Sequence, residues 1–384
     1  MAQPLASVTI AGFRSIDRLR LPLSSEVTLL VGANGSGKSN IVDALELLGY
    51  TVDGKLQSYV ARQGFGRMLH RGWNGGTAEE IVVMVWSEWT DDPLQGPFSN
   101  GYTMTLRAAA GDSAILDERV QEYRDVPPDS DSYPKSHDVH LGRHRESALQ
   151  SATDATPTSD YLARILAGCR VFHFDDTSID APPLRSVDTA DYDTLHDDAR
   201  NLAAVLLNMA EHSRSNYDRV VRSVRGVAPF FDDFVLKPVG DIVLLRWRER
   251  GIDDVFGGSA LSSGTLRFIC LATLLQQPNP PTTIVLDEPE LGLHPAAIHQ
   301  LAELMRAAAR GRRIVAATQS VTLLGQFSID DVAVVERVAG STTVARPDRE
   351  QLATWLQDYS LGELWEMNLL GGRPRASDAT RPTS

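Results

Sequence analysis

The chain is short of cysteine, of long apolar runs and of positive charge, and each shortage removes a class of protein. Two cysteines in 384 residues build neither a disulfide framework nor a zinc site. Both lie in apolar strings, Ala167-Gly-Cys-Arg-Val-Phe172 and Phe268-Ile-Cys-Leu271, and read as reduced core thiols. No run of about 18 apolar residues occurs, so nothing is expected to span a membrane. The N-terminus has no basic stretch leading into an apolar one, so no secretory signal is expected and the location reads as cytoplasmic. Heptads never persist for three or four repeats, which excludes long coiled-coil arms. No internal period of 20–50 residues marks a repeat architecture. Lys and Arg number 37 against 50 Asp and Glu, a net charge of −13. That balance opposes indiscriminate nucleic-acid binding. A local basic patch stays possible, because salt confines its field to about 8–10 Å.

Hydrophobic residues make up 42% of the chain, enough for one large domain or two ordinary ones. Ser7–Phe13 and Glu26–Val31 are rich in β-branched residues and read as strands, as do Ile81–Trp86 and Tyr102–Leu106. Between them, Ile41, Ala44, Leu45 and Leu48 share one face of a helix over Asn40–Leu48. These belong to an N-terminal lobe, residues 1–110. Residues 111–160 are rich in Asp, Ser, Pro and His and lose apolar periodicity, so an exposed, partly mobile insertion is expected. Patterning resumes in a C-terminal lobe, 161–371. It carries a strand at Arg170–Phe174, a helix over Asn201–Arg225, a strand at Ile242–Trp247 and a helix over Leu266–Leu275. Strands at 283–287, 313–317 and 332–336 then alternate with helices. That alternation predicts an α/β fold with a mostly parallel sheet. Residues 372–384 read as a disordered tail.

Three segments carry the chemistry. Gly32-Ala33-Asn34-Gly35-Ser36-Gly37-Lys38-Ser39 fits the P-loop pattern and sits between a strand and a helix, the context that pattern requires. Its glycines let backbone N–H groups turn inward around phosphates, and the helix dipole adds partial positive charge. The nucleotide contacts expected are Gly32, Asn34, Gly35, Ser36, Gly37, Lys38, Ser39 and Asn40, with Lys38 on the β- and γ-phosphates and the Ser39 hydroxyl on Mg²⁺. Asp287 ends the apolar strand Ile284-Val-Leu286 and is the second candidate for Mg²⁺; Glu288, next along, is the candidate general base. Ser262, Ser263 and Gly264 open a helix, where a hydroxyl and free N–H groups form an anion site. An N-cap serine followed by a turn glycine has the same pattern. The spacing of about twenty residues before Asp287 favours the anion site.

As a set, these segments resemble the ABC-type ATPase heads of the SMC, RecF and OLD group, and more closely the small bacterial AAA-type ATPases related to RecF. Ile10-Ala-Gly-Phe-Arg-Ser15 is similar to that family's first strand. Leu261-Ser-Ser-Gly-Thr-Leu-Arg267 is similar to its signature, and Asp287-Glu-Pro-Glu-Leu-Gly-Leu-His-Pro295 to its Walker B and D-loop run. Leu361-Gly-Glu-Leu-Trp365 and Gly371-Gly-Arg-Pro374 also look family-like. The likeness covers roughly residues 5–110 and 160–374. It implies a P-loop NTPase head, a mostly parallel sheet flanked by helices with an antiparallel β-subdomain. It also implies a homodimer that sandwiches ATP and Mg²⁺, each site combining Lys38, Ser39, Asp287 and Glu288 of one chain with Ser263-Gly264 of the other.

One position departs from the wider pattern. Gln319 stands after the strand Ile314–Ala317 where such ATPases place a switch histidine. Its amide can donate to a γ-phosphate but cannot titrate, so positioning and slow turnover are expected. His294 has two readings, a reach across the dimer or a loop histidine. The glutamine that completes Mg²⁺ coordination in relatives is narrowed by region only, to Gln57 and Gln63. Arg14 reads as a nucleotide neighbour or as a surface residue. Three basic groups, Arg214/Arg219/Arg222/Arg225, Arg62/Arg67/His70/Arg71 and Arg143-His144-Arg145, read more simply as solvated faces than as phosphate contacts.

The expected function is therefore a slow ATPase switch acting on double-stranded DNA or on a partner, in DNA repair or anti-phage defence. No nuclease segment is recognisable, so any cutting is expected from a separate partner such as a Toprim-type nuclease. Two alternatives stand beside this: the nucleotide-binding subunit of a membrane transporter, and an ATP-binding scaffold with little hydrolysis. The signature differs from the transporter form Leu-Ser-Gly-Gly-Gln, which disfavours the first.

Overall fold

Five consecutive buried residues, Val27–Val31, form the strand around which the rest is laid out. The computed structural model describes residues 4–73, 75–92, 96–124, 137–149 and 157–372. In chain order, β1 (Leu5–Phe13), β2 (Ile16–Pro22) and β3 (Val27–Val31) lead through the glycine-rich loop into α1 (Lys38–Val52), α2 (Leu56–Gln63) and α3 (Phe65–Met68). Then come β4 (Glu80–Ser87), β5 (Thr90–Asp92), β6 (Gly96–Ala109), β7 (Ser113–Arg124), β8 (His137–His144), α4 (Pro157–Ala167), β9 (Cys169–Phe172) and β10 (Val187–Asp188). The helices α5 (Leu202–His212) and α6 (Arg214–Val227) precede four short strands, β11 (Phe231–Phe234), β12 (Ile242–Val243), β13 (Arg246–Glu249) and β14 (Val255–Gly257). The remainder is α7 (Ser263–Gln276), β15 (Thr283–Asp287), α8 (Pro295–Ala308), β16 (Arg313–Thr318), α9 (Val321–Leu324), β17 (Val332–Val338), β18 (Ser341–Ala345), α10 (Arg349–Leu352) and α11 (Leu361–Glu366).

Two large sheets result. One has the order β18-β17-β3-β16-β15-β9 and is parallel except at β18. The other is antiparallel, β2-β1-β4-β6-β7-β8 with β5 beside β6. The parallel sheet is buried on both faces, because successive strand residues point to opposite sides. Leu29, Ile284, Leu286, Ile314 and Ala316 join a core with α5 to α8. Leu30, Val285, Val315 and Ala317 join a second core with α1, α4 and the antiparallel sheet. The α/β architecture with an antiparallel subdomain is thus present. No helix among the described residues is long and apolar enough to cross a membrane.

Three expectations need correction, and one strand was missed. Residues 113–124 and 137–144 are regular strands and not an irregular, mobile stretch: β7 pairs with β6 over twelve positions, and β8 extends the same sheet. Along β7 the inward positions are Ala114, Leu116, Glu118 and Val120. A carboxylate at the third of them hides the apolar alternation. The remainder of the expected mobile stretch, 125–136 and 150–156, lies outside the described residues, as does the tail beyond Gly372. The helix expected over Asn201–Arg225 is two helices, because Ser213 takes a non-helical φ of −140°. The strand at Ile242–Trp247 is split between β12 and β13. Finally, β2 carried no expectation, since Arg18 and Arg20 alternate with Leu19 and Leu21 on a half-exposed strand.

Candidate nucleotide site

The glycine-rich loop leaves β3 and turns straight into α1. A Cβ on Gly32 would lie 2.2 Å from the Val335 carbonyl oxygen, so only glycine fits there. Gly37 has φ 108° and is the N-cap of α1, with no side chain capping the helix. The first-turn N–H groups of this fifteen-residue helix therefore face outward, where an anion is favoured. Lys38 is buried, and its Nζ donates to the carbonyls of Gly32 at 2.7 Å and Ala33 at 3.2 Å. Burial holds its pKa below the usual lysine value, against the pull of Glu288, Asp287 and Glu290. Asn34, Gly35 and Ser39 are exposed. Ser36 is buried, and its Oγ has no hydrogen-bond partner. Asn40 turns its amide to the Ser15 hydroxyl.

The acids come from the end of β15, the strand one place beyond β16 in the parallel sheet. Asp287 is half-buried, and burial together with Glu288 pushes its carboxyl above the ordinary range. Glu288 has a φ of 44°, the left-handed region that costs a residue with a Cβ about 1 kcal/mol or more. Its N–H donates to the Ala317 carbonyl at 2.8 Å, which pins that turn to β16. The Gln319 amide donates to Glu288 Oε1 at 2.8 Å. Sequence reasoning did not single out Glu290. Its Oε1 accepts from the Thr318 hydroxyl and the Gln319 N–H, while Oε2 is buried without a partner. Burial raises its pKa. His173 was also missed. Its Nε2 lies 3.8 Å from Glu46, and if protonated it favours the Asp287 carboxylate. Only the pairing of β9 with β15 brings it there.

The signature segment lies elsewhere. Ser262 caps α7, its Oγ accepting from Thr265 N at 3.2 Å, so this hydroxyl does serve as an N-cap. Ser262 and Ser263 are exposed. Gly264 packs on the loop after the acids, where a Cβ would lie 2.5 Å from Gly292 O. Arg267 fastens α7 to the same loop through Leu291 O and to Phe174 O at 2.9 Å. Among the described hydrogen bonds, none joins Ser262, Ser263 or Gly264 to residues 32–40.

The remaining candidates separate cleanly. His294 caps α8, its Nδ1 accepting from Ala296 N at 3.3 Å. Gln57 binds Ala114 O at 3.1 Å on β7, away from the loop. Arg14 pairs with Asp43 and donates to Gln63 at 3.2 Å. Arg14, Arg67, Arg71 and Arg337 line an open cavity of about 400 Å³ beside Asn40. Elsewhere the arginines have local partners: Arg214 with Asp218 at 3.0 Å, Arg225 with Asp232 at 3.2 Å and Arg143 with Asp117 at 3.0 Å.

With a glycine loop, a buried lysine and an Asp-Glu pair facing it, the chain can be set against known proteins. Residues 101–325, more than half of it, match the family described as "AAA domain, putative AbiEii toxin, Type IV TA system". The chain belongs to this AAA-domain family. Residues 4–61 of this AAA-domain protein also match "AAA ATPase domain". A 71-residue stretch is 39% identical to the DNA replication and repair protein RecF of Caulobacter vibrioides, covering 18% of each chain. A 42-residue stretch is 50% identical to the chromosome partition protein Smc of Desulfitobacterium hafniense, 11% of this chain and 4% of that one. The matched stretches thus span less than a fifth of either relative. Two solved structures share the fold of the AAA-domain chain. An Smc head bound to the C-terminal winged-helix domain of ScpA is 15% identical, with a TM-score of 0.59 over 91% of this chain and 99% of that one. An Smc head with extended coiled coil, bound to the C-terminal domain of ScpA from Pyrococcus furiosus, is 17% identical, with a TM-score of 0.53 over 92% and 99%. The AAA-domain chain is therefore RecF- and Smc-like over short stretches of sequence and has the fold of an Smc head, with no long coiled coil among the described residues.

Proposed function

We propose that this head binds and hydrolyses ATP, closes on a second copy around the nucleotide, and passes that change to DNA or a partner protein. DNA repair or anti-phage defence is the setting the reading favours. One observation carries it. Lys38, the 287–290 acids and Gln319 face one another within one chain, while Ser263 and Gly264 stand apart on an exposed turn. A half-site of this kind calls for a second chain.

The residues present fit a triphosphate with a divalent cation. An uncapped helix start and a buried lysine that, among the described residues, bonds only to loop carbonyls await an anion. The half-buried Asp287 carboxyl, its pKa raised by burial and by Glu288, awaits a cation. In this reading Lys38 exchanges the Gly32 and Ala33 carbonyls for β- and γ-phosphate oxygens. Gly32, Asn34, Gly35, Ser36, Gly37 and Asn40 shape the cradle. Ser39 and Asp287 hold Mg²⁺, which when bound neutralises phosphate charge. Glu288 takes the proton of the attacking water, and the Gln319 amide fixes the orientation of its carboxylate. Since Gln319 cannot titrate, turnover is slow. Ser263 and Gly264 of the second copy close over the γ-phosphate. The two Smc heads of like fold carry ScpA domains, which supports a protein partner; a Toprim-type nuclease is one such effector.

The test is ATPase rate and sedimentation together, with and without double-stranded DNA, on wild type and Glu288→Gln. The variant is expected to lose turnover by about 10²-fold or more and to accumulate an ATP-bound dimer. Equal turnover and equal assembly in the two proteins would remove Glu288 as the base. Stimulation by DNA selects DNA as the ligand; indifference to DNA selects a protein.

A further inference from the structure

The last described residues touch the glycine-rich loop. Gly372 O accepts a hydrogen bond from Ala33 N at 3.1 Å, one residue into that loop. Gly372 N donates to Glu336 Oε1 at 2.6 Å. Glu336 lies on β17, the neighbour of β3, and the Val335 carbonyl beside it is the group that crowds Gly32. The turn depends on its glycines. Gly371 and Gly372 have φ of 84° and 86°, and a Cβ on Gly372 would lie 2.8 Å from the Trp365 ring.

Trp365 belongs to α11, whose start is fixed by a reciprocal Ser360–Glu363 cap. This helix packs on α9 so closely that a Cβ on Gly362 would lie 2.5 Å from Val321 O. Helix α9 begins right after Gln319-Ser320. One short element thus reaches from the helix behind Gln319 to the start of the P-loop. On the loop's other flank, Thr342 Oγ1 donates to Ser36 O at 3.0 Å and lies 2.6 Å from Ser15 Oγ.

We propose that the Gly371–Gly372 turn, latched by Glu336, is a positioning element of the nucleotide site that holds the start of the P-loop in its phosphate-receiving form. The proposal rests on the reading of residues 32–39 as the nucleotide loop. A glycine-rich loop left free loses conformational entropy when it wraps a ligand. Two hydrogen bonds to the loop backbone, Ala33 N to Gly372 O and Thr342 Oγ1 to Ser36 O, shift that loss to folding, so the benefit falls on ATP affinity and not on the chemical step.

The experiment uses the full chain and compares Glu336→Leu, Glu336→Gln and Gly372→Val with wild type. A fluorescent ATP analogue gives Kd, and steady-state hydrolysis gives KM and kcat. Glu336→Leu and Gly372→Val are expected to raise Kd and KM about tenfold with kcat within about twofold. Glu336→Gln keeps an oxygen acceptor for Gly372 N and is expected to bind like wild type. Unchanged Kd in Glu336→Leu, or a loss confined to kcat, would overturn the proposal. Should Gly372→Val unfold, the Leu and Gln pair at 336 decides. A wild type that binds no ATP brings down the nucleotide reading and the proposal with it; a wild type that binds while Glu336→Leu binds equally well brings down the proposal alone.

Discussion

Asp287, Glu288 and Glu290 lie within four residues, yet each is held differently. Glu288 is oriented by the Gln319 amide. Glu290 is tied to the end of β16 through Thr318 and Gln319 N, with its second oxygen buried and unpartnered. The strand that ends at Asp287 made Asp287 and Glu288 legible in sequence. Glu290 follows a proline, and only the packing of that turn on β16 brings it inward. A buried carboxylate with a spare oxygen carries a cost that depends on pH. Its folded pKa is raised from the ordinary 4.5, so the folded state binds a proton more readily than the unfolded one. The relative stability this gives is full below about 4.5 and is lost as pH rises through the folded value. At pH 8 the nucleotide-free protein therefore carries a penalty that an amide does not. Glu290→Gln is expected to raise stability at pH 8, with the gain vanishing toward pH 4.5. Thermal melts at the two pH values measure it. Equal destabilisation at both would show that the Thr318 bond outweighs the buried charge.

Among elements, the ones that hold the P-loop were the most legible. A fully buried parallel strand reads as a near-continuous apolar run, and Val27–Val31, interrupted only by Thr28, and Ile284-Val-Leu286 are such runs. Strands of the antiparallel sheet are half-exposed and must be read from alternation, which β7 breaks at Glu118. That residue has no exposure to solvent and accepts from Tyr102 OH at 2.5 Å, Ser147 Oγ at 2.6 Å and Ala148 N at 2.7 Å. Two of these donors lie beyond β8, so one carboxylate joins β6, β7 and the segment before residue 150. Removing it leaves buried donors unpaired, the costly direction of change. Glu118→Ala is expected to cost about 3 kcal/mol in urea unfolding, and Glu118→Gln about half of that. A loss below 1 kcal/mol for the alanine variant would mean that water replaces the carboxylate and that the sheet does not depend on it.

Across the whole molecule, two cores sandwich one parallel sheet, and the exposed Ser262-Ser263 turn lies apart from the glycine-rich loop. Sequence marked three candidate phosphate segments, and the resemblance alone implied that the signature serves another chain; within one chain its place is set by α7 packing on the 291–293 turn. If each site is shared between two chains, defects in different halves complement. Lys38→Met spoils the loop and spares the signature. Ser263→Arg, at an exposed position, spoils the signature and spares the loop. Each variant alone forms only defective sites. In an equal mixture about half the dimers are mixed, and one of the two sites in each is intact, so about a quarter of wild-type ATPase is expected to return. Nucleotide binding by Ser263→Arg alone, followed with the fluorescent analogue, checks that its own loop still works. A mixture as inactive as its parts, with that binding preserved, would place the signature in the same chain's site and remove the shared dimer.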